Sequence, residues 1–172
     1  GCYDTQAQMC EALQMNVPEG CNVNSPPPLI QNGCGSGATA GFVPDSLLVP
    51  SYVVNGPSVG VYDSTAYVVA PFGDIFRAAC NVHDTCYGTW GEMKSICDAG
   101  LKTDMIQRGY DVIPSNQQSL YMPYVTSQAT LYSQGLQNWL VEALVSDAAF
   151  ANAQKEGQCR AYRDLIQEYC TP

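Results

Sequence analysis

The chain has 172 residues, of which 46% are hydrophobic and only 13% are charged, and its formal net charge is −9. The hydrophobic content favours a folded core over intrinsic disorder. The acidic surface argues against binding to nucleic acid or to anionic bilayers. We expect one domain spanning residues 1–172.

Nine cysteines are the most unusual feature of the composition. No C-x-x-C pair occurs in the sequence, so a zinc module is disfavoured and disulfide bonds are the expected use of the thiols. Cysteine-rich chains with few charges are typical of extracellular proteins. We therefore expect a secreted protein whose signal peptide has been removed, without a transmembrane segment.

The first 41 residues predict one short helix followed by irregular chain. Residues 3–15 have a weak helical pattern with Asp4 as the candidate N-cap. Residues 18–31 include a run of three prolines, which predicts an extended loop. Residues 33–41 contain four glycines and are not expected to form regular structure.

The stretch 42–71 is rich in Val and Tyr and is interrupted by Pro and Gly. Its pattern predicts a small β arm with strands at 51–54 and 59–69. A helix follows, with Asp74 as its candidate N-cap and with Gly88 or Gly91 at its end.

Three more helices are predicted in the second half of the chain. They span residues 95 to about 110, 127–150 and 157–170, and the first stops before Pro114. In the second, Leu131, Trp139 and Leu144 belong to one broad apolar face. We assign Trp139, Leu140 and Leu144 to the core rather than to a membrane-inserting patch. The fold class is therefore mainly α and disulfide-rich, with a small β arm inserted early.

His83 is the single histidine in the chain. Alone, a helical histidine commonly caps, packs or faces water. Here it is followed directly by Asp84 and flanked by Cys80 and Cys86, and two disulfides at those positions would hold this helical turn rigidly. Rigid placement is a requirement of a catalytic base.

The residues from Cys80 to Tyr87 read C-N-V-H-D-T-C-Y, and Cys97 is followed by Asp98. This combination resembles the C-x-x-H-D-x-C-Y signature and the later C-D pair of secreted phospholipases A2. The wider string is most similar to the compact fungal and bacterial-type branch. The earlier run N-G-C-G-S-G at 32–37 resembles the calcium loop of that family.

The resemblance implies two long antiparallel helices that carry the active site. His83 would be the general base that removes a proton from the attacking water, because neutral imidazole accepts protons at neutral pH. Asp98 would fix the tautomer of His83, and Tyr87 would donate a hydrogen bond to Asp98 from the side.

The resemblance also implies a Ca²⁺ cofactor. Asp84 would supply its carboxylate, and Gly33, Gly35 and Gly37 would supply backbone carbonyls. Calcium prefers such oxygen ligands, and glycine tolerates the backbone conformations that turn several carbonyls inward.

Two disulfides, Cys34–Cys80 and Cys86–Cys97, are implied by the resemblance. Five cysteines then remain: Cys2, Cys10, Cys21, Cys159 and Cys170. We expect the last two to pair with the N-terminal segment. The odd cysteine is either buried or linked to another chain, and the oligomeric state stays open.

The chain departs from the family pattern at Ala79, where a cysteine is often found, and in lacking a later Gly-Gly pair in the glycine run. Two further departures concern Arg77 and an insertion. Arg77 stands where the family commonly has an aspartate, six residues before the histidine. The stretch 42–71 is an insertion between the glycine run and His83, and it is either a hairpin for interface or substrate contact or a flap packed on the core.

The expected activity is calcium-dependent hydrolysis of the sn-2 ester of glycerophospholipids, with phospholipid as a transient partner and Trp90 as a candidate for lipid contact. The sequence has no G-x-S-x-G motif for a serine hydrolase. One alternative is a non-catalytic phospholipase-like binding module or toxin subunit. The other is a disulfide-rich structural protein in which the His-Asp match is accidental.

Overall fold

The computed structural model describes residues 5–34, 44–56, 66–137 and 147–171, of which 135–137 are described in backbone only. Most of these residues are helical, and they include one two-stranded sheet and four disulfides. The expectation of a disulfide-rich, mainly α protein is therefore confirmed. None of the described helices combines the length and apolar character needed to span a bilayer.

Helix α1 covers Gln6–Met15 and is capped by Thr5, whose hydroxyl accepts a hydrogen bond from the Gln8 amide at 3.2 Å. The predicted cap, Asp4, lies outside the described residues. From residue 17 to residue 34 the chain forms turns and extended segments without helix or strand, as the proline run predicts.

The arm begins with strand β1 at Leu48–Pro50, continues into a short helix α2 at Ser51–Asn55, and returns in strand β2 at Tyr67–Val69. The two strands are antiparallel, with Val49 opposite Val68. The predicted strand at 51–54 is therefore wrong, because the chain turns into α2 directly after Pro50. Only the end of the predicted strand at 59–69 is described, and it is β2.

The arm packs against the core rather than extending from it. Leu47, Val49 and Ala70 are almost fully buried. The backbone around β1 is also tied to a later helix, because the Gln128 amide group accepts from Leu48 N at 2.9 Å and donates to Ser46 O at 2.8 Å. The described part of the insertion is thus a flap on the core.

Helix α3 covers Arg77–Gly88 and carries one buried face, formed by Ala79, Cys80, His83 and Tyr87. Asp74 is not its N-cap, because its carboxylate accepts from Ser46 Oγ at 3.0 Å and from the Arg77 side chain. The helix ends at Gly88, as predicted.

Helix α4 covers Lys94–Val112 and runs antiparallel to α3. The disulfide Cys86–Cys97 joins their adjacent ends, and Arg108 Nε reaches Ile75 O at 3.4 Å beyond the opposite end of the pair. The antiparallel pair expected from the resemblance is therefore present.

A 3₁₀ turn at Ser115–Gln117 leads into helix α5, Gln118–Gln137, which packs on α4. The sequence pattern placed the start of this helix at residue 127, but the helix continues through Pro123. Leu131, which the pattern places on the apolar face of this helix, is 65% exposed. Trp139, Leu140 and Leu144 lie outside the described residues.

Helix α6 covers Asp147–Cys170 and packs on α1 and α3. It is ten residues longer at its start than the predicted helix 157–170. Two disulfides, Cys10–Cys170 and Cys21–Cys159, fasten it to the N-terminal segment. The expectation that both C-terminal cysteines reach back to that segment is confirmed, and Cys2 lies outside the described residues.

The hydrophobic core lies between α3, α4, α5 and the arm. Its largest fully buried apolar side chains are Phe76, Leu47, Ile75, Met105, Val49 and Val125. This core fixes the α3–α4 pair, on which the candidate site is built.

Candidate active site

His83 and Asp98 face each other between α3 and α4. The distance from His83 Nε2 to Asp98 Oδ1 is 2.8 Å, and both side chains are buried, with 9% and 1% of their surface exposed. With the proton of the neutral ring on Nε2, His83 donates to the carboxylate and leaves Nδ1 as the basic nitrogen. Among the described residues, Nδ1 has no hydrogen-bond partner.

Asp98 accepts two further hydrogen bonds. Tyr87 Oη donates to Oδ1 at 2.6 Å, and Lys94 Nζ donates to Oδ2 at 2.8 Å. Burial acts to raise the pKa of the Asp98 carboxyl, but the hydrogen bonds from His83, Lys94 and Tyr87 outweigh it and hold this pKa below its usual value. Asp98 is therefore a stable anion beside the imidazole.

Tyr87, which borders the His83–Asp98 dyad, is covered by the N-terminal half of α6. Phe150 packs edge-on against the Tyr87 ring with a centroid distance of 5.1 Å, and the Tyr87 ring lies 4.1 Å from the His83 ring. Gln154 donates to the backbone oxygens of Tyr87 and Thr89 at 2.8 and 2.7 Å. The end of α3 is thereby held in place from outside the α3–α4 pair.

Asp84 points to the segment that enters the glycine run. Its Oδ2 accepts a hydrogen bond from Asn32 N at 3.1 Å. Burial raises the pKa of the Asp84 carboxyl, and the nearby Asp45 carboxylate raises it too, whereas the Asn32 N–H and His83 lower it. The net shift is upward, so the ionised form of Asp84 is poorly stabilised by the described protein groups alone.

The structure contains Cys34–Cys80, the disulfide expected to tie the glycine run to α3. Gly33 adopts a φ of 82°, a conformation that favours glycine, and it lies against α3. Gly35 and Gly37 lie outside the described residues, so the predicted ligand set is described only for Asp84 and Gly33. Among the described residues no group of three or more His, Cys, Asp and Glu side chains forms a metal cluster.

The surroundings of Asp84 fit a bound cation. The carboxylate is half-buried, and no lysine or arginine of the described ranges forms an ion pair with it. A desolvated carboxylate without a basic partner is stabilised by a metal ion. The ligand set that the resemblance implies, one carboxylate with backbone carbonyls, is an all-oxygen donor set, which suits Ca²⁺.

The cysteines around the histidine are not nucleophiles. Cys80, Cys86 and Cys97 are all in disulfides, and a catalytic cysteine must be a free thiolate. The chemistry available at this site is therefore proton transfer by His83 next to a fixed carboxylate.

Comparisons with known proteins identify no relative. No family model matches the sequence, and no curated protein or solved structure matches it either. Arguments about function therefore depend on the motif and on the geometry of the site.

Sequence reasoning assigned Asp98, His83 and Tyr87 to one cluster, and the structure brings these three together. It missed Lys94. Lys94 lies four residues before Asp98, a spacing at which side chains on a helix meet, and it makes the bond. The spacing Lys-x-x-x-Asp was the signal that could have found it.

Proposed function

We propose that this chain is a secreted, calcium-dependent phospholipase A2 that hydrolyses the sn-2 ester of glycerophospholipids to a fatty acid and a lysophospholipid. The observation that carries the proposal is the buried His83–Asp98 hydrogen bond, with Asp84 next to the histidine and facing the entry to the glycine run. Four disulfides support secretion, because such bonds persist in oxidising compartments.

In this proposal His83 Nδ1 removes a proton from a water molecule whose oxygen attacks the ester carbonyl carbon. The bond from that carbon to the glycerol oxygen then breaks, and the imidazolium returns the proton to the departing oxygen. No covalent acyl-enzyme is formed, which agrees with the lack of a free thiol at the dyad in the described structure.

Asp98 keeps the His83 ring in the productive tautomer and stabilises the imidazolium that forms during the reaction. Its own charge is stabilised by Tyr87, which donates to Oδ1, and by Lys94, which donates to Oδ2. The four side chains act as one network, with His83 as the member that contacts the reacting atoms.

Calcium would be held by Asp84 together with the carbonyls of Gly33, Gly35 and Gly37. When bound, it supplies Lewis-acid stabilisation of the negative charge that develops on the ester oxygen. Asp84 contributes the charged ligand, and the disulfide Cys34–Cys80 keeps the glycine segment against the helix that carries Asp84.

Three apolar side chains near the start of α4 support contact with a lipid surface. Trp90, Met93 and Ile96 are 48, 59 and 58% exposed. They lie in the α3–α4 connection and the first turn of α4, next to the Lys94–Asp98 pair in sequence. Because the net charge is −9, zwitterionic surfaces such as phosphatidylcholine are favoured over anionic ones.

The test is fatty-acid release from phosphatidylcholine vesicles with calcium and with EGTA, using wild type, His83→Gln and Asp84→Asn. Asp164→Asn is the matched control, since Asp164 is an exposed carboxylate on α6. We expect hydrolysis only with calcium, retained in the control and lost in both site variants.

Calcium binding without hydrolysis in the wild type would instead support the non-catalytic binding module. A wild type that neither binds calcium nor hydrolyses phospholipid would leave only a structural role. Hydrolysis unaffected by His83→Gln would overturn the proposed mechanism.

A further inference from the structure

Three consecutive backbone amides at the entry to the glycine run donate to side chains from other elements. Asn32 N donates to Asp84 and Gly33 N to Asn81, both on α3, with distances of 3.1 and 2.9 Å. Cys34 N donates to Asp45 Oδ1 at 2.6 Å. The third acceptor therefore comes from the insertion and not from α3.

Asp45 is itself held at two points. Its second carboxylate oxygen is 2.9 Å from Arg77 Nη2, and its backbone oxygen accepts from Phe76 N at 2.8 Å. Two residues later the chain is anchored in the core by Leu47, which is fully buried. Asp45 is thus a rigid acceptor, because both its backbone and its side chain are bonded to the start of α3.

The Asp45 carboxylate also restricts which residue can stand at position 33. A Cβ atom on residue 33 would lie 2.5 Å from Asp45 Oδ1, so the carboxylate occupies the space that any other side chain would need. The positive φ of Gly33 and its contact with Asp45 select glycine for two separate reasons. The carboxylate and the glycine backbone therefore fit as a pair.

Two departures from the phospholipase pattern meet at this point. Arg77 stands where an aspartate is common in the family, and the insertion supplies Asp45, which pairs with Arg77. We propose that Asp45 is a positioning residue for the calcium site. By accepting from Cys34 N it fixes the peptide plane that also carries the carbonyl of Gly33, one of the proposed ligands. This inference rests on the proposed calcium site of the phospholipase function.

The insertion then has a role beyond covering the core. It supplies an acceptor for Cys34 N from an element other than α3, so the position of the Cys34 backbone depends on how the arm packs. Preorganising a loop lowers the ordering cost that metal binding must overcome, and removing the anchor should weaken calcium binding even where the fold persists.

The experiment is isothermal titration calorimetry of the full, disulfide-bonded chain with calcium chloride. Asp45→Ala removes the acceptor, and Asp45→Asn keeps an acceptor oxygen while losing the charge. Asp74→Asn is the matched control, because Asp74 pairs with the same Arg77 yet does not contact residues 32–34.

We expect Asp45→Ala to weaken calcium binding by about tenfold, in line with the loss of one charge-assisted hydrogen bond. Asp45→Asn should lose less calcium affinity than Asp45→Ala, and Asp74→Asn should bind calcium as tightly as the wild type does. Wild-type affinity in Asp45→Ala would overturn the inference while leaving the phospholipase proposal intact. A wild type that binds no calcium would overturn both.

A calcium-free readout complements the titration. In EGTA, the Cys34 amide of Asp45→Ala should exchange with solvent deuterium faster than that of the wild type or Asp74→Asn, and equal exchange would contradict the inference. Should Asp45→Ala fail to fold, Asp45→Asn and Arg77→Gln take its place, each with an expected several-fold loss of affinity. Unchanged affinity in both would count against the role of Asp45.

Discussion

Lys94 lies one helical turn before Asp98 on α4, and its Nζ atom is 2.8 Å from Asp98 Oδ2. The other oxygen of Asp98 accepts from His83 and Tyr87. Both oxygens of an almost fully buried carboxylate therefore have donors, which offsets the cost of removing the charge from water. The dyad is one part of a four-residue network.

Lys94→Met is expected to destabilise the protein by about 1–3 kcal/mol, because it leaves one oxygen of a buried anion without its charged donor. Methionine keeps most of the aliphatic length, so the packing loss is small. Urea unfolding at neutral pH measures the change in the free energy of unfolding. Vesicle hydrolysis should fall as well, since Asp98 then holds His83 less firmly.

Lys102→Met is the matched control for this substitution. Lys102 is half-buried on the same helix, one turn after Asp98, and makes no bond to it in the described structure. Its replacement should change the free energy of unfolding by less than about 0.5 kcal/mol. Equal losses in the two variants would show that the Lys94–Asp98 bond is not the cause.

Acid sensitivity follows from the depressed pKa of the Asp98 carboxyl. The unfolded chain takes up this proton near pH 3.9, whereas the folded chain takes it up only at lower pH. The stabilisation is therefore present above about pH 3.9 and is lost as pH falls through the folded value. Stability measured by urea unfolding should decrease across this acid range.

Asp98→Asn isolates that contribution. The variant should be less stable than the wild type at pH 7. The difference between their free energies of unfolding should become smaller as the pH approaches 2. A difference in free energy of unfolding that stays constant from pH 7 to pH 2 would mean that ionisation of Asp98 contributes nothing to the stability of the fold.

The dyad was predictable because its chemistry is encoded in short spacings. His83, Asp84 and the flanking cysteines lie within one segment, and the C-D pair places Asp98 beside a disulfide. Asp45 and Arg77 were not predictable as a pair. They are 32 positions apart, and their contact depends on how the arm folds back onto α3.

Local propensity misled the prediction where tertiary packing decides the structure. The Tyr-Val-Val run after Ser51 favours a strand by composition. The chain nevertheless forms α2, which ends at Asn55 and is capped by Gly56 with a φ of 79°. Pro123 marks a helix break by the usual rule. Here α5 continues through it, with the neighbouring Tyr121, Met122 and Val125 buried in the core.

Asp84→Asn is expected to separate calcium binding from stability. Burial raises the pKa of the Asp84 carboxyl, so at neutral pH the ionised side chain is unfavourable in the calcium-free fold. The asparagine variant should melt at the same temperature as the wild type in EGTA, or at a higher one. Its oxygen can still accept from Asn32 N.

Calcium should stabilise only the wild type. At a free concentration of 100 times the dissociation constant, one site adds about 2.7 kcal/mol to the free energy of unfolding. Differential scanning fluorimetry with calcium and with EGTA detects this stabilisation as a rise in melting temperature. A calcium-induced shift of the same size in Asp84→Asn would place the ion elsewhere on the protein.

Gly157 sets how closely α6 approaches α3. A Cβ atom at this position would overlap the backbone oxygen of Gly88, and backbone cannot move aside as a flexible side chain does. Gly157→Ala should therefore lower the free energy of unfolding by about 1–3 kcal/mol through overpacking, although alanine favours helix. Displacing α6 also moves Phe150 from Tyr87, so vesicle hydrolysis should fall too.

Gly100→Ala, on α4, is expected to have the opposite effect on the free energy of unfolding. A Cβ atom at Gly100 meets nothing within 4 Å in the described structure, so the substitution should raise stability by about 0.5–1 kcal/mol through helix propensity alone. The sign difference between the two variants, measured by urea unfolding, separates close helix contact from propensity. Stabilisation in both variants would mean that α6 can move away from Gly88 at no cost in free energy. In that case α6 would not be a rigid support for the His83–Asp98 dyad.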